Sequence, residues 1–275
     1  MLTIQTWGGW GDVLREISLL PLIRFPGLLG VRHLPPERAG VRVDAGVPSM
    51  EAVRDLLDRC PGIHWEGEMS ASRCQKYLVR GLRAAIEPFH PGLFDPGFAW
   101  RPEDAVPLEP ARKQIVIQTH LDGLPTKCWA VENWRAVIKE LRDRHPDACI
   151  HVLDPGGSPL SGEGIVVQDQ LTFPQAIRLV EQCALLISVD SWSKYVAGWK
   201  NITQLVIVPD QTPDYPQLTA STVWRHSFHG LHKNKNLKLL GLAPESAKRA
   251  RYTFGAMSDL HPQDVLRNLP TLPAP

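Results

Sequence analysis

The stretch from Ala184 to Gly198, ALLISVDSWSKYVAG, limits what this chain can fold into more than any other. Leu185-Leu186-Ile187 and Val189 make a short apolar run, the pattern of a strand buried on both faces of a parallel sheet. The run stops at Asp190-Ser191-Trp192-Ser193, and Tyr195, Val196 and Trp199 then fall at helical spacing. A strand that ends in small polar residues and turns into a helix presents backbone N–H groups at the helix start, a natural seat for phosphate. In an open α/β sheet such a turn lies just outside the carboxyl ends of the strands, where these folds bind ligands. The same residues also read as an ordinary N-cap, with Asp190 or Ser191 closing the helix.

The flanking sequence repeats this alternation. Gln114 to Thr119 reads as a strand, and Val131, Trp134, Val137, Ile138 and Leu141 line a helix face. Cys149 to Leu153 and Ile165 to Val167 read as strands, with Phe173, Ala176, Ile177 and Val180 marking the next helix, and Gln204 to Val208 as a further strand. Alternating strands and helices imply a parallel sheet with right-handed crossovers. Beyond Tyr215 the pattern weakens: Glu245 to Tyr252 and Pro262 to Leu269 suit helices, and the tail TLPAP reads as loose.

The first part of the chain is smaller. Leu2 to Thr6 reads as a strand, followed by the glycine-rich turn WGGWGD and a helix face of Val13, Ile17, Leu20 and Ile23. Apolar stretches at Gly30 to Leu34 and Val41 to Val43, a helix carrying Met50, Val53, Leu56 and Leu57, a strand at Gly62 to Trp65 and a helix at Tyr77 to Ile86 follow. Pro88 to Pro110 has Pro or Gly every few residues and no period, and reads as an interdomain connection. The organisation expected is therefore a smaller α/β domain over 1–105, with its Pro-rich linker, and a larger α/β domain over 106–275. The glycines of the N-terminal turn allow close approach of backbone to a ligand. Asp12 is the residue of interest there, with helix capping or a first-turn charge as its ordinary role.

Composition excludes several classes. The 30 Lys and Arg stand against 29 Asp and Glu, so no overall field argues for nucleic acid or an anionic membrane. No run approaches the ~20 apolar residues of a membrane span, and Met1 leads directly into a strand, which reads as the absence of a secretory signal. Cys60, Cys74, Cys128, Cys149 and Cys183 are odd in number and lack C-x-x-C spacing, which suits reduced thiols in a cytoplasm. His226, His229 and His232 drift around a helix without a nearby carboxylate, and with Lys233, Lys235 and Lys238 read as a basic loop rather than a metal site.

Together the segments resemble glycosyltransferase family 9, the heptosyltransferase-like enzymes of bacterial surface-glycan assembly. Three places carry the match: GGWGDVL at Gly8 to Leu14, KCWAVENW at Lys127 to Trp134, and LTFPQAIRLVEQCALLISVDSWSKYVAG at Leu171 to Gly198. The chain departs from the family pattern at Trp192, where a Gly is usual, at Tyr195, where a His is usual, and at Ala130, where a Pro is usual. The segment between Leu153 and Ile165 is also short for the helix and acidic residue that usually hold the ribose.

The resemblance implies an α/β fold of GT-B type, two doubly wound Rossmann-like domains facing across a cleft, with 1–105 the reduced, acceptor-side domain and 106–275 the nucleotide-sugar-binding one. It implies inverting transfer of a hexosyl or heptosyl unit from a nucleotide-diphosphate sugar to a hydroxyl, with no obligatory cofactor or metal. Asp12 would be the general base and Lys127 the cation that neutralises the departing diphosphate. Gly8, Gly9, Gly11, Thr119, Lys127, Asp190, Ser191, Trp192 and Ser193 would hold the donor, with Asp190 orienting the turn or touching the sugar. The acceptor implied is a surface glycan. The small N-terminal domain, the basic segment and tryptophans Trp7, Trp10, Trp129 and Trp192 leave room for a modified base in DNA. A noncatalytic sugar-nucleotide-binding or scaffold protein is the alternative class, and it would account for Trp192 and Tyr195. A different α/β enzyme reusing a phosphate-binding turn is a third, because fold does not fix function.

Overall fold

The computed structural model describes residues 2–7, 10–17, 29–34, 49–61, 63–68, 95–110, 112–119, 128–154, 158–162, 164–189, 191–200, 202–207, 237–239, 260–269 and 272. The chain divides into two compact units, Met1–Ala105 and Val106–Pro275.

In the first unit β1 (Leu2–Trp7), α1 (Trp10–Ile17), β2 (Leu29–Leu34), α2 (Met50–Leu57) and β3 (Ile63–Glu68) follow in order, and the strands form a parallel sheet in the order β1-β2-β3. Val13, Leu14 and Ile17 on α1 and Val53, Leu56 and Leu57 on α2 are buried, the i, i+3, i+4 stripe of a helix lying on a sheet. Ser49 caps α2 by accepting from the Ala52 N–H at 3.2 Å. The expected segments at Val41–Val43 and Tyr77–Ile86 lie outside the described residues.

The Pro-rich stretch, within which the two units divide, ends in ordered structure: Arg101 to Asp104 enters a single 3-10 turn, Pro102–Asp104, whose Asp104 is locked to Arg59. The Arg59 guanidinium donates to both Asp104 oxygens at 2.7 Å, and the two side chains are only 4% and 2% exposed. Asp104 also accepts from the Arg101 N–H at 2.8 Å, and Asp55 meets Arg59 from the other side at 2.8 Å. The Arg59 hydrogen bonds hold the Asp104 carboxyl below its ordinary pKa, and they raise that of the guanidinium. A fork-to-fork pair with its remaining groups satisfied is the geometry that offsets the desolvation of two buried charges.

In the second unit β4 (Lys113–Gln118), α3 (Val131–Arg144), β5 (Ala148–Leu153), β6 (Ile165–Gln168), α4 (Phe173–Glu181), β7 (Leu185–Val189), α5 (Ser193–Trp199), β8 (Thr203–Ile207), β9 (Leu237–Leu239) and α6 (Pro262–Asn268) build a six-stranded parallel sheet, ordered β6-β5-β4-β7-β8-β9. β4, β5 and β7 are buried along nearly their whole length, as the unbroken apolar runs require. Thr172 and Gln175 form a capping box at the start of α4. Trp134, Val137, Ile138 and Leu141 of α3 pack into the core with Ile115, Ile150 and Ile187.

Two expectations change here. Leu272 of the TLPAP tail is buried in this core beside Val265 and Leu266 of α6, so the tail is anchored at that residue. Lys238, expected in a basic loop, lies in β9, paired with Leu205 of β8. Three residues between segments without period gave no strand signal.

One buried polar relay crosses β4, β5 and β6. Gln114 Nε2 donates to the carbonyls of Glu109 and Arg112, both at 2.8 Å, which turns its Oε1 towards His151 Nε2 at 2.7 Å. His151 Nε2 therefore donates, and its Nδ1 accepts from Gln168 Nε2 at 3.0 Å. Burial pushes the His151 pKa below the ordinary 6.5, against an opposing pull from Glu109. The folded chain resists a proton that the unfolded chain takes up near its ordinary value, so stability is full above that value and falls as pH drops below it.

Two outcomes are expected. Asp104→Ala, which leaves the buried Arg59 guanidinium with only the half-exposed Asp55 as counter-ion, should destabilise the protein by about 1–3 kcal/mol, read by urea unfolding of the N-terminal unit's signal. His151→Gln keeps one donor and one acceptor, so it should preserve the neutral-pH melting temperature and flatten its decline between pH 7 and pH 5 in a thermal melt series.

Candidate functional site

The chain leaves β4 towards β5 and β6 on one side, then returns to β7 on the other, with Ile115 facing Leu185 and Gln118 facing Ser188 in register. This reversal is the topological switch point of the sheet, and the crevice outside the carboxyl ends of the two strands is where a doubly wound domain binds ligands. The residues there are Gln118 and Thr119 after β4 and the Ser191-Trp192-Ser193 turn after β7.

The turn is tied across the switch point. Gln118 Nε2 donates to Ser191 Oγ at 2.9 Å, and both side chains are buried. Trp192, with helical backbone, occupies the cap position of α5, and among the described residues no side chain closes the helix start. Ser191 is therefore not the cap. The Ser191 hydroxyl is committed to β4, and the Trp192 carbonyl accepts from the Tyr195 N–H at 3.0 Å. The indole of Trp192 stands edge-on to Phe173 of α4, with ring centroids 4.8 Å apart at 68°.

A layer of buried polar groups lies beneath. Ser193 Oγ, Ser188 Oγ, Gln118 Oε1 and Gln204 Oε1 have no hydrogen-bond partner among the described residues, whereas a native interior leaves only a few such groups per hundred residues. Gln204 Nε2 donates to the Lys194 carbonyl at 3.3 Å. Lys194 is itself buried, its ammonium 4.8 Å from the centre of the Tyr195 ring.

The structure thus brings Thr119, Ser191, Trp192 and Ser193 together at one sheet end. Gly11 and Asp12 belong to the first unit, and both lie inside α1 rather than in the turn before it, Asp12 as the third helical residue. Gly8, Gly9, Lys127 and Asp190 lie outside the described residues, as do His226, His229, His232, Lys233 and Lys235. Trp129, expected as a stacking platform, is instead a core residue: it is buried, donates to the Leu260 carbonyl at 2.9 Å, and packs edge-on against Trp134 at 5.2 Å. Gln118 and Lys194 escaped the sequence reading. A polar residue closing an apolar strand was the available signal for Gln118, whereas nothing in the sequence marks Lys194 as buried.

Among the described residues no group of three or more His, Cys, Asp or Glu could hold a metal ion, and no helix is long and apolar enough to cross a membrane. Cys60 and Cys183 are free, and burial pushes both thiols up to about 12, which keeps them protonated and unreactive near neutrality.

No protein-family model matches the chain, and no curated protein matches it. Solved structures do. The chain is similar to the Escherichia coli ADP-heptose LPS heptosyltransferase II, with 15% identity over 98% of this chain and 97% of that one and a TM-score of 0.57. A family 9 glycosyl transferase from Veillonella parvula aligns at 12% identity over 97% and 95%, also with a TM-score of 0.57. The E. coli heptosyltransferase WaaC with ADP-2-deoxy-2-fluoro heptose aligns at 12% over 97% and 98%, with a TM-score of 0.54. The fold is that of the heptosyltransferase-like GT-B glycosyltransferases.

The tie between turn and strand has a measurable signature. Ser191→Ala leaves the Gln118 amide buried with one partner fewer and should cost about 1–3 kcal/mol. Adding Gln118→Met to it should recover part of that loss in a double-mutant cycle of chemical denaturation.

Proposed function

We propose that the chain is a glycosyltransferase that moves a sugar from a nucleotide-diphosphate donor to a hydroxyl acceptor with inversion and without an obligatory metal. The observation that carries this reading is the Ser191-Trp192-Ser193 turn, capped by no described side chain and tied by Gln118 to the switch point of a sheet whose fold is shared with heptosyltransferases. Backbone N–H groups at such a turn suit the oxygens of a diphosphate.

In this reading the Asp12 carboxylate accepts the acceptor hydroxyl's proton as the oxygen attacks the anomeric carbon. The bond from that carbon to the phosphate oxygen breaks on the opposite face, and the nucleoside diphosphate leaves with the electron pair. A positioned base of this kind contributes ~10²–10⁴-fold. Lys127 and the turn's N–H groups offset the charge that grows on the leaving diphosphate, and Asp190 orients the turn. Transfer takes place in the cytoplasm, where nucleotide sugars are made. Two acceptor classes fit, a surface glycan and a hydroxymethylated base in DNA; only the second requires DNA affinity that falls steeply with salt.

A second reading has one observation in its favour. Trp192 stands where the family carries Gly and is packed against Phe173, and Tyr195, where the family carries His, is buried. A bulky ring at that turn suits a protein that binds a sugar nucleotide and does not turn it over.

A thermal-shift panel of ADP-, UDP-, GDP- and CMP-linked sugars should give one responding nucleotide class, because a ligand at ~100 times its dissociation constant adds about 2.7 kcal/mol of stability. With that donor, Asp12→Ala should still be stabilised yet lose at least ~10²-fold in turnover. Undiminished turnover removes Asp12 as the base, binding without turnover in the unaltered chain selects the noncatalytic reading, and a flat panel in a cooperatively melting protein overturns both.

A further inference from the structure

The C-terminal unit has a second polar concavity, away from the switch-point turn. It runs between one flank of α3 and Leu160, Ser161, Gly162 and Gly164, which lie between β5 and β6, and it is closed below by Arg112, Pro146 and Ala148 at the amino-terminal ends of β4 and β5. Its volume is about 800 Å³, within the range of small-molecule sites.

Among the described lining residues four are cations, Arg112, Arg135, Lys139 and Arg142, against one carboxylate, Asp143. The chain as a whole carries a formal charge of only +1, so this is a local concentration. Arg135, Lys139 and Arg142 recur at i, i+4 and i+7 and make one stripe along α3. The outer pair is partly committed. Arg112 donates to the carbonyls of Asp147 and Ala148 at 3.1 and 2.8 Å and lies 3.5 Å from Glu109, and Arg135 lies 3.6 Å from Glu132. Lys139 and Arg142 make no hydrogen bond or ion pair with any described residue. Arg142 extends to the lip of the groove, its Nε 3.6 Å from where a Cβ would stand on Gly164, whose φ of +72° turns the segment back towards α3. Like charges at this spacing repel and weaken a helix, a penalty that a bound anion removes.

The shape and lining narrow the ligand. The groove is concave, which suits a compact molecule better than a bilayer surface. Among the described lining residues there is no Phe, Tyr or Trp, and the one aromatic ring, the half-buried imidazole of His145, offers a nucleobase only a small platform. We propose that it binds a small, multiply charged phosphate of the pyrophosphate class, with Lys139 and Arg142 supplying the uncompensated charge and Arg112, fixed by its two carbonyl acceptors, a preset third donor. This site does not depend on the donor reading given above.

The test is isothermal titration of the full chain with inorganic pyrophosphate at low salt, repeated with Lys139→Ala/Arg142→Ala and with Ser191→Ala/Ser193→Ala. Both cations are exposed, so an unchanged melting temperature verifies that the first variant folds. The expected result is a pyrophosphate-binding event weakened at least ~10-fold in Lys139→Ala/Arg142→Ala and retained in Ser191→Ala/Ser193→Ala, which separates it from the turn after β7. Identical pyrophosphate binding by the unaltered chain and the Lys139→Ala/Arg142→Ala variant overturns the proposal. So does sedimentation with phosphatidylglycerol vesicles that the variant loses, in the absence of pyrophosphate binding, because the cations then serve a lipid surface.

Discussion

The parallel pairing of β4 with β7 is the contact on which the C-terminal unit depends. The two strands are separated in the chain by β5, β6 and the helices α3 and α4, yet they lie side by side at the middle of the sheet. Everything on one side of the sheet precedes that closure, and everything on the other follows it. Such non-local pairing is entropically expensive to form, and only a nearly continuous apolar strand can hold it. Leu185, Leu186, Ile187 and Val189 are each almost fully buried, and burying a side chain of this size contributes about 1.5–3 kcal/mol.

The same pairing places the candidate site. Because the strands run parallel and end together, Gln118 and Ser191 come within hydrogen-bonding distance although 73 residues separate them. The turn after β7 is thus held by the sheet rather than by a local cap. The Gln118–Ser191 tie and the Trp192 carbonyl, which accepts from the Tyr195 N–H, fix the backbone of the turn, the kind of preorganisation an anion site requires. The tie also explains why Trp192 can occupy the cap position of α5 at all: with Ser191 drawn to β4, the helix begins one residue later.

Much of the C-terminal unit was legible in sequence because its strands are continuous apolar runs and its helices show a clean 3.6-residue stripe. Val131–Arg144 is the clearest case, since four of the five residues read as its inner face, Trp134, Val137, Ile138 and Leu141, are buried and the fifth, Val131, packs half-buried against the same core. The failures have physical reasons. Trp129 reads as a cleft aromatic because it adjoins a motif, but its indole N–H finds the Leu260 carbonyl 131 residues away, a partner no local pattern reveals. Leu272 sits in a Pro-rich tail whose composition suggests looseness, yet it is buried in the core cluster that also holds Val265 and Leu266 of α6. Gln118 and Lys194 gain their significance from neighbours across the sheet, and Asp12 was placed in a turn because glycines before it masked the start of α1.

The Arg59–Asp104 pair carries a consequence for biogenesis. The two residues are 45 positions apart, so during synthesis the guanidinium emerges well before its counter-ion. At ~5–20 residues per second the delay is about 2–9 s, and over that interval Arg59 has only Asp55, one turn earlier, to answer its charge. Burial of Arg59 against α2 must therefore wait for the segment that ends the N-terminal unit. That unit can assemble its sheet early, but its last step is timed by translation, and nascent chains halted before Asp104 would display a solvated arginine where the finished protein has a sealed interior.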